Sequence, residues 1–114
     1  MPTIGANAFK TNVRESSVEG DCRDIAEDYG FQLKKITGHT GDTDRMLTGK
    51  RIAPCVYFIE FKKPGLKKSG LSPAQKENIK ALKKRGYSVL VIDNKAAFKE
   101  MIIDLYENGY THHE

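Results

Sequence analysis

The sequence predicts an α/β domain: a mixed sheet flanked by helices, with elements in the order α-β-β-β-α-β-α. Three observations predict it. Apolar residues between positions 18 and 29 recur at helical spacing. The run "CVYFIEFK", residues 55–62, is β-branched and aromatic and reads as the strongest strand in the chain. A second apolar run, "YSVLVI", follows it after one helix-coded segment. Two strands joined through a helix make a right-handed βαβ crossover with parallel strands.

Residues 1–14 are poor in apolar content and read as an irregular arm. The first helix is expected over 17–29, on Val18, Cys22, Ile25, Ala26 and Tyr29, with Ser16 as its N-cap and Gly30 as its stop. "FQLKKIT" reads as a strand with Phe31, Leu33 and Ile36 inward. "GHTGDTD" reads as a loop, "RML" as a brief strand and "TGKRIAP" as another loop. Pro64-Gly65 ends the central strand, and "GLKKSG" is a basic connector. The next helix has Ser72 as cap, Pro73 at its first position and Gly86 just past its end, with a narrow stripe of Ile79 and Leu82. "YSVLVI" reads as a strand buried on both faces. Asp93 or Asn94 caps the last helix, whose stripe is Phe98, Met101, Ile102 and Leu105 and whose stop is Asn108-Gly109.

The 114 residues suit a single domain, 1–114, with one modest core. Apolar residues make up 39% and charged residues 30%, a composition expected of a water-soluble chain. No apolar run approaches the roughly 20 residues that span a bilayer, so no membrane partner is expected. No basic start precedes an apolar block, so a cytoplasmic location, in a bacterial cell or a phage-infected host, is the expectation. The net charge is +4, but it is unevenly placed: residues 62–85 hold nine of the nineteen basic side chains and one acid, Glu77. That favours a polyanion partner. Cys22 and Cys55 lack metal-site spacing and read as buried free thiols.

Alternation along the central strand puts Val56, Phe58, Glu60 and Lys62 on one face and Tyr57, Ile59 and Phe61 on the other. A carboxylate and an ammonium thus continue an apolar face, which makes sense where a packed sheet opens into a cleft. A second carboxylate, Asp44, sits 16 residues earlier at a loop–strand junction. Two carboxylates on neighbouring strands repel unless a cation joins them. Mg²⁺ takes such hard oxygen ligands, one or two carboxylates completed by water and phosphate. A lysine beside it can steady a water or a phosphate.

Asp44 followed by Glu60-Phe61-Lys62 fits the D…(D/E)xK pattern of restriction-endonuclease-like nucleases. The longer string "GDTDR…VYFIEFKKPG…LSPAQ…IKALKKRGYSVLVID" resembles the VRR-NUC domains, the virus-type replication-repair nucleases. The resemblance is closest over 41–93 and looser over 15–105. It departs at Thr43, where the family usually has proline. The resemblance implies a restriction-endonuclease-like core and a Mg²⁺- or Mn²⁺-dependent deoxyribonuclease. It implies Asp44, Glu60, the carbonyl of Phe61 and a helix-one glutamate, Glu19 ahead of Glu15, as metal ligands, with Lys62 catalytic and Gln75 orienting the lysine or a phosphate. It further implies a homodimer acting on branched DNA such as four-way (Holliday) junctions. Lys63, Lys67, Lys68 and Arg45 are the expected DNA contacts.

Several of these residues have a second reading. Asp44 and its neighbour Asp42 are also ordinary turn residues. Glu19 would complete a capping box with Ser16, and Glu15 competes with it for the metal role. Gln75 completes a capping box with Ser72. The basic groups could be a solvated surface, and His39, His112 and His113 read as loop and tail residues. The rival to the nuclease is a small basic nucleic-acid-binding module without catalysis.

Overall fold

The computed structural model describes residues 15–36, 43–66 and 70–110. Helix α1 (Glu15–Asp28) leads into strands β1 (Gln32–Lys35), β2 (Arg45–Thr48) and β3 (Tyr57–Phe61). Helix α2 (Pro73–Lys84), strand β4 (Ser88–Ile92) and helix α3 (Lys95–Asn108) complete the chain. The sheet order is β1-β2-β3-β4. The β1–β2 and β2–β3 pairings are antiparallel; the connection through α2 brings β4 beside β3 in parallel.

The sheet has two unlike faces. On one, Leu33, Leu47 and Tyr57 stand opposite one another across three strands, and Ile59 and Phe61 continue the row. Helix α1 packs Val18, Cys22 and Ala26 on this face, and α3 packs Phe98, Ile102 and Leu105. The Phe61 and Phe98 rings meet at 6.3 Å between centroids. Each such side chain stabilises the fold by about 1.5–3 kcal/mol relative to exposure. Strand alternation gives the second face Phe58, Glu60, Lys62 and Val89. Helix α2 packs beside β4, and Ile79 is its one buried residue.

Turn chemistry bounds these elements. Gly86 follows α2 at φ 95°, a conformation that favours glycine, and there Gly86 N–H and Tyr87 N–H close the helix onto the carbonyls of Lys83 and Leu82. At Gly49 an added Cβ would come within 2.5 Å of the Phe31 ring, so the turn after β2 can lie against that ring only as glycine.

Three expectations change and a fourth, the cap of α3, narrows to one of its two candidates. Helix α1 already includes Glu15, so Ser16 lies inside the helix and does not cap it. β4 is an edge strand with one neighbour, so Leu90 and Val91 are half-buried rather than enclosed on both faces. Cys22 is buried but Cys55 is half-buried, because it precedes the strand in an irregular segment; both are free thiols. Asn94, not Asp93, caps α3, accepting from Ala97 N–H at 2.8 Å. The expected arm at 1–14, Asp42 and His39, Lys67 and Lys68, and His112 and His113 lie outside the described residues. Among the described residues, no helix is long and apolar enough to cross a membrane.

Candidate active site

Strand β3 carries the site because it is central and because its last residues leave the apolar row. Glu60 is 1% exposed and Lys62 9% exposed, which is rare for either residue type without a partner. The β2–β3 register pairs Arg45 with Ile59. Continued by one residue, it sets Asp44 across from Glu60, on the same face of the sheet. Asp44 Oδ2 accepts a hydrogen bond from Phe61 N–H at 2.7 Å, which ties the β2 junction to the end of β3. The carbonyl of Phe61 leaves the strand on the same side as its N–H, toward Asp44. Lys62 N–H donates to the Ile92 carbonyl at 2.9 Å, so the parallel ladder reaches the lysine.

Helix α2 delivers the third group. Ser72 Oγ accepts from Gln75 N–H at 3.1 Å, and Ser72 N–H donates to Gln75 Oε1 at 2.9 Å, a complete capping box. The same Gln75 Oε1 accepts from Lys62 Nζ at 3.0 Å, and Gln75 Nε2 donates to Glu60 Oε2 at 2.7 Å. The two readings of Gln75 are therefore one: the cap aims the amide at the charged pair. Lys62 Nζ also lies 3.6 Å from Glu60 Oε2. Gly70 leaves room for the lysine stem; a Cβ there would stand 3.3 Å from Lys62 Cδ and 2.7 Å from the Leu66 carbonyl.

Glu60 Oε1 is buried and has no hydrogen-bond partner. A buried carboxylate oxygen in that state is costly. Burial pushes the Glu60 carboxyl up to about 7; Asp44 and Glu15 add to the rise, and Lys62 opposes it. Burial raises Asp44 too and Glu19 adds to the rise, while the Phe61 N–H, Lys62 and a side-chain hydrogen bond with Glu60 oppose it.

Both helix-one carboxylates reach this end of the sheet, in different states. Glu15 lies in the first turn of α1. Burial raises its carboxyl, Lys62 lowers it, and Asp44 and Glu19 raise it. Glu19 accepts a hydrogen bond from Arg45 Nε in a half-buried ion pair. Arg45 Nη1 donates to the Leu33 carbonyl at 3.1 Å. Arg45, expected at DNA, is thus turned inward and ties α1 to β1 and β2. Lys63 is exposed beside Lys62. Asp93, given no role beyond capping, accepts from Gly65 N–H at 3.1 Å and fixes the turn after Lys63. Strand alternation signalled Glu60 and Lys62; no sequence pattern signalled Asp93 at Gly65.

The residues present fit a hard divalent cation by donor type: two facing carboxylates, one of them with an oxygen that lacks a partner, and a strand-end carbonyl. Among the described residues, no group of three or more His, Cys, Asp and Glu side chains is gathered closely enough to hold an ion unaided. A cation here would draw its remaining ligands from water and phosphate, as Mg²⁺ commonly does. A depression at the other end of α1, lined by Glu27, Phe31, Gln32, Thr48 and Lys50 among others, gathers no such chemistry. No protein-family model and no curated protein matches the chain.

Proposed function

We propose that this chain is a metal-dependent DNA nuclease of the restriction-endonuclease-like type, similar to the VRR-NUC domains. The observation that carries the reading is Glu60. Its carboxylate is buried beside Asp44, bridged to Lys62 through Gln75, with one oxygen left without a partner. Such an arrangement costs stability in the absence of a cation, so packing alone gives no reason for it.

Asp44, Glu60, the Phe61 carbonyl and a carboxylate of α1 would hold Mg²⁺ or Mn²⁺. Glu15 takes this role in the proposal because Arg45 holds Glu19, the first expectation, in an ion pair. When bound, the ion supplies polarisation of the phosphate and a lowered pKa for the attacking water. Lys62 holds that water or the developing negative charge on the phosphate. Gln75 bonds both the ammonium and the Glu60 carboxylate and so holds Lys62 beside Glu60, pointed inward. Lys63, with Lys67 and Lys68 of the connector, contacts flanking phosphates. The reaction needs no covalent enzyme intermediate. Branched DNA suits a homodimer, whose two-fold axis presents two sites to a nearly two-fold junction. The cytoplasm of a bacterial cell or phage-infected host is the proposed setting.

The second reading, a basic module that binds without cutting, draws on the lack of a ready-made group of three ligands among the described residues. Cleavage of a labelled four-way junction with Mg²⁺ or Mn²⁺, against an EDTA control, separates the two. Wild type is expected to cut only with metal, and Lys62→Ala to slow cutting by about 10²-fold or more while binding nearly unchanged. Binding without cleavage in either metal would establish the module.

A further inference from the structure

Helix α2 carries a basic stripe that the site chemistry does not use. Lys76, Lys80, Lys83 and Lys84 are all exposed. At 3.6 residues per turn they fall within an arc of about 100° and extend about 12 Å along the axis. The stripe begins one residue after Gln75, so it leads away from the candidate active site.

Helix stability does not explain the stripe. Lys83 and Lys84 suit the negative C-terminal end of the helix dipole, but Lys76 lies at the opposite, positive end, and the first turn has no acid. Lys76–Lys80 and Lys80–Lys84 are like-charge neighbours at i,i+4, each destabilising by about 0.2–0.5 kcal/mol. Glu77 is the helix's one acid. None of the four lysines has an ion pair among the described residues. The helix buries a single side chain, Ile79, so the lysines are not there to flank a large packed face. The stripe costs stability in the free protein, and a polyanion laid along it would remove that cost.

We propose that this face of α2 is a phosphate track for a duplex arm of the DNA, beyond the phosphates at the scissile bond. Duplex DNA carries one charge per about 1.7 Å of axis, so 12 Å of track spans about seven charges. This inference rests on the nuclease reading for the identity of its occupant. The track needs only charge and spacing, so it reads no base sequence.

The test is binding of a labelled junction and a labelled duplex in EDTA at 50–200 mM salt, followed by single-turnover cleavage with Mg²⁺. The quadruple variant K76Q/K80Q/K83Q/K84Q is compared with wild type and with the four Lys→Arg changes. The glutamine variant is expected to lower the slope of log K against log[salt] by about three to four, roughly one per lysine. It should keep the wild-type cleavage rate at saturating DNA, and the arginine variant should keep the wild-type slope. A slope that falls by less than about one overturns the track and leaves the nuclease reading standing. A lowered slope in a protein that never cuts supports the track and sinks the nuclease reading instead.

Discussion

The two faces of the sheet use the same strand for opposite ends. Tyr57, Ile59 and Phe61 point into the layer beneath α1 and α3, where most buried neighbours are apolar or aromatic and the polar ones, Ser88 across from Tyr57 and Arg45 across from Ile59, stand at the margin. One residue out of phase, Phe58, Glu60 and Lys62 point to the α2 side, where the end of the face is a hydrogen-bonded polar chain. The first face accounts for the fold. The second holds a buried carboxylate whose charged form costs stability, and the proposed function rests on that difference.

Mutation should break the symmetry between the faces. The largest stability effect is expected on the apolar side: Phe98→Ala removes a fully buried ring and should lower stability by about 3–5 kcal/mol in chemical denaturation. On the other side the sign should reverse. Glu60 has its folded pKa raised to about 7 from an ordinary 4.5, so the folded state binds more protons than the unfolded state between those values. Stability from this group is fully present below about 4.5 and is lost as pH rises through about 7. The loss is about 3 kcal/mol. Asp44 and Glu15, also raised, act in the same direction. In metal-free buffer the melting temperature should therefore fall across this window. Glu60→Gln should flatten most of the slope and melt higher than wild type at pH 8. A flat wild-type profile would show that the buried carboxylate is not under strain.

Arg45→Ala probes the link between the faces. It leaves Glu19 half-buried without its partner and should cost about 1–3 kcal/mol by denaturant titration. The smallest effect is expected from Ser72→Ala, about 1 kcal/mol of stability. Because the Ser72 cap also aims Gln75, this variant should lower the cleavage rate more than an N-cap lost elsewhere. Asn94→Ala, at the cap of α3, is the control, with a similar stability loss and an unchanged rate.

Much of this was legible in the sequence because it is local. Alternation with period two placed Glu60 and Lys62 together and Phe61 apart from them. Helical spacing located the three helices of the described residues, and the Ser72–Gln75 signature described a real cap. Glu15 and Glu19 could not be separated that way: they are four residues apart on one helix, and both reach the same end of the sheet. Arg45, brought in from β2, pairs with Glu19 and not with Glu15, a difference that helical spacing could not show. The apolar run of β4 looked enclosed because a sequence shows how apolar a strand is, not how many neighbours it has. Asp93 resembled a cap because aspartate suits that position locally; its partner, Gly65, is 28 residues away.

The sequence by itself determined which segments are helix and strand, which face of each is apolar, and that a carboxylate and an ammonium share one side of the central strand. These follow from backbone periodicity and side-chain chemistry, which act over a few residues. Only the tertiary structure decided that Asp44 stands across from Glu60, that Gln75 serves the cap and the charged pair at once, and that one carboxylate oxygen is buried without a partner. Those depend on strand register and helix docking, set by the packing of the whole core, and no short stretch of chain encodes them.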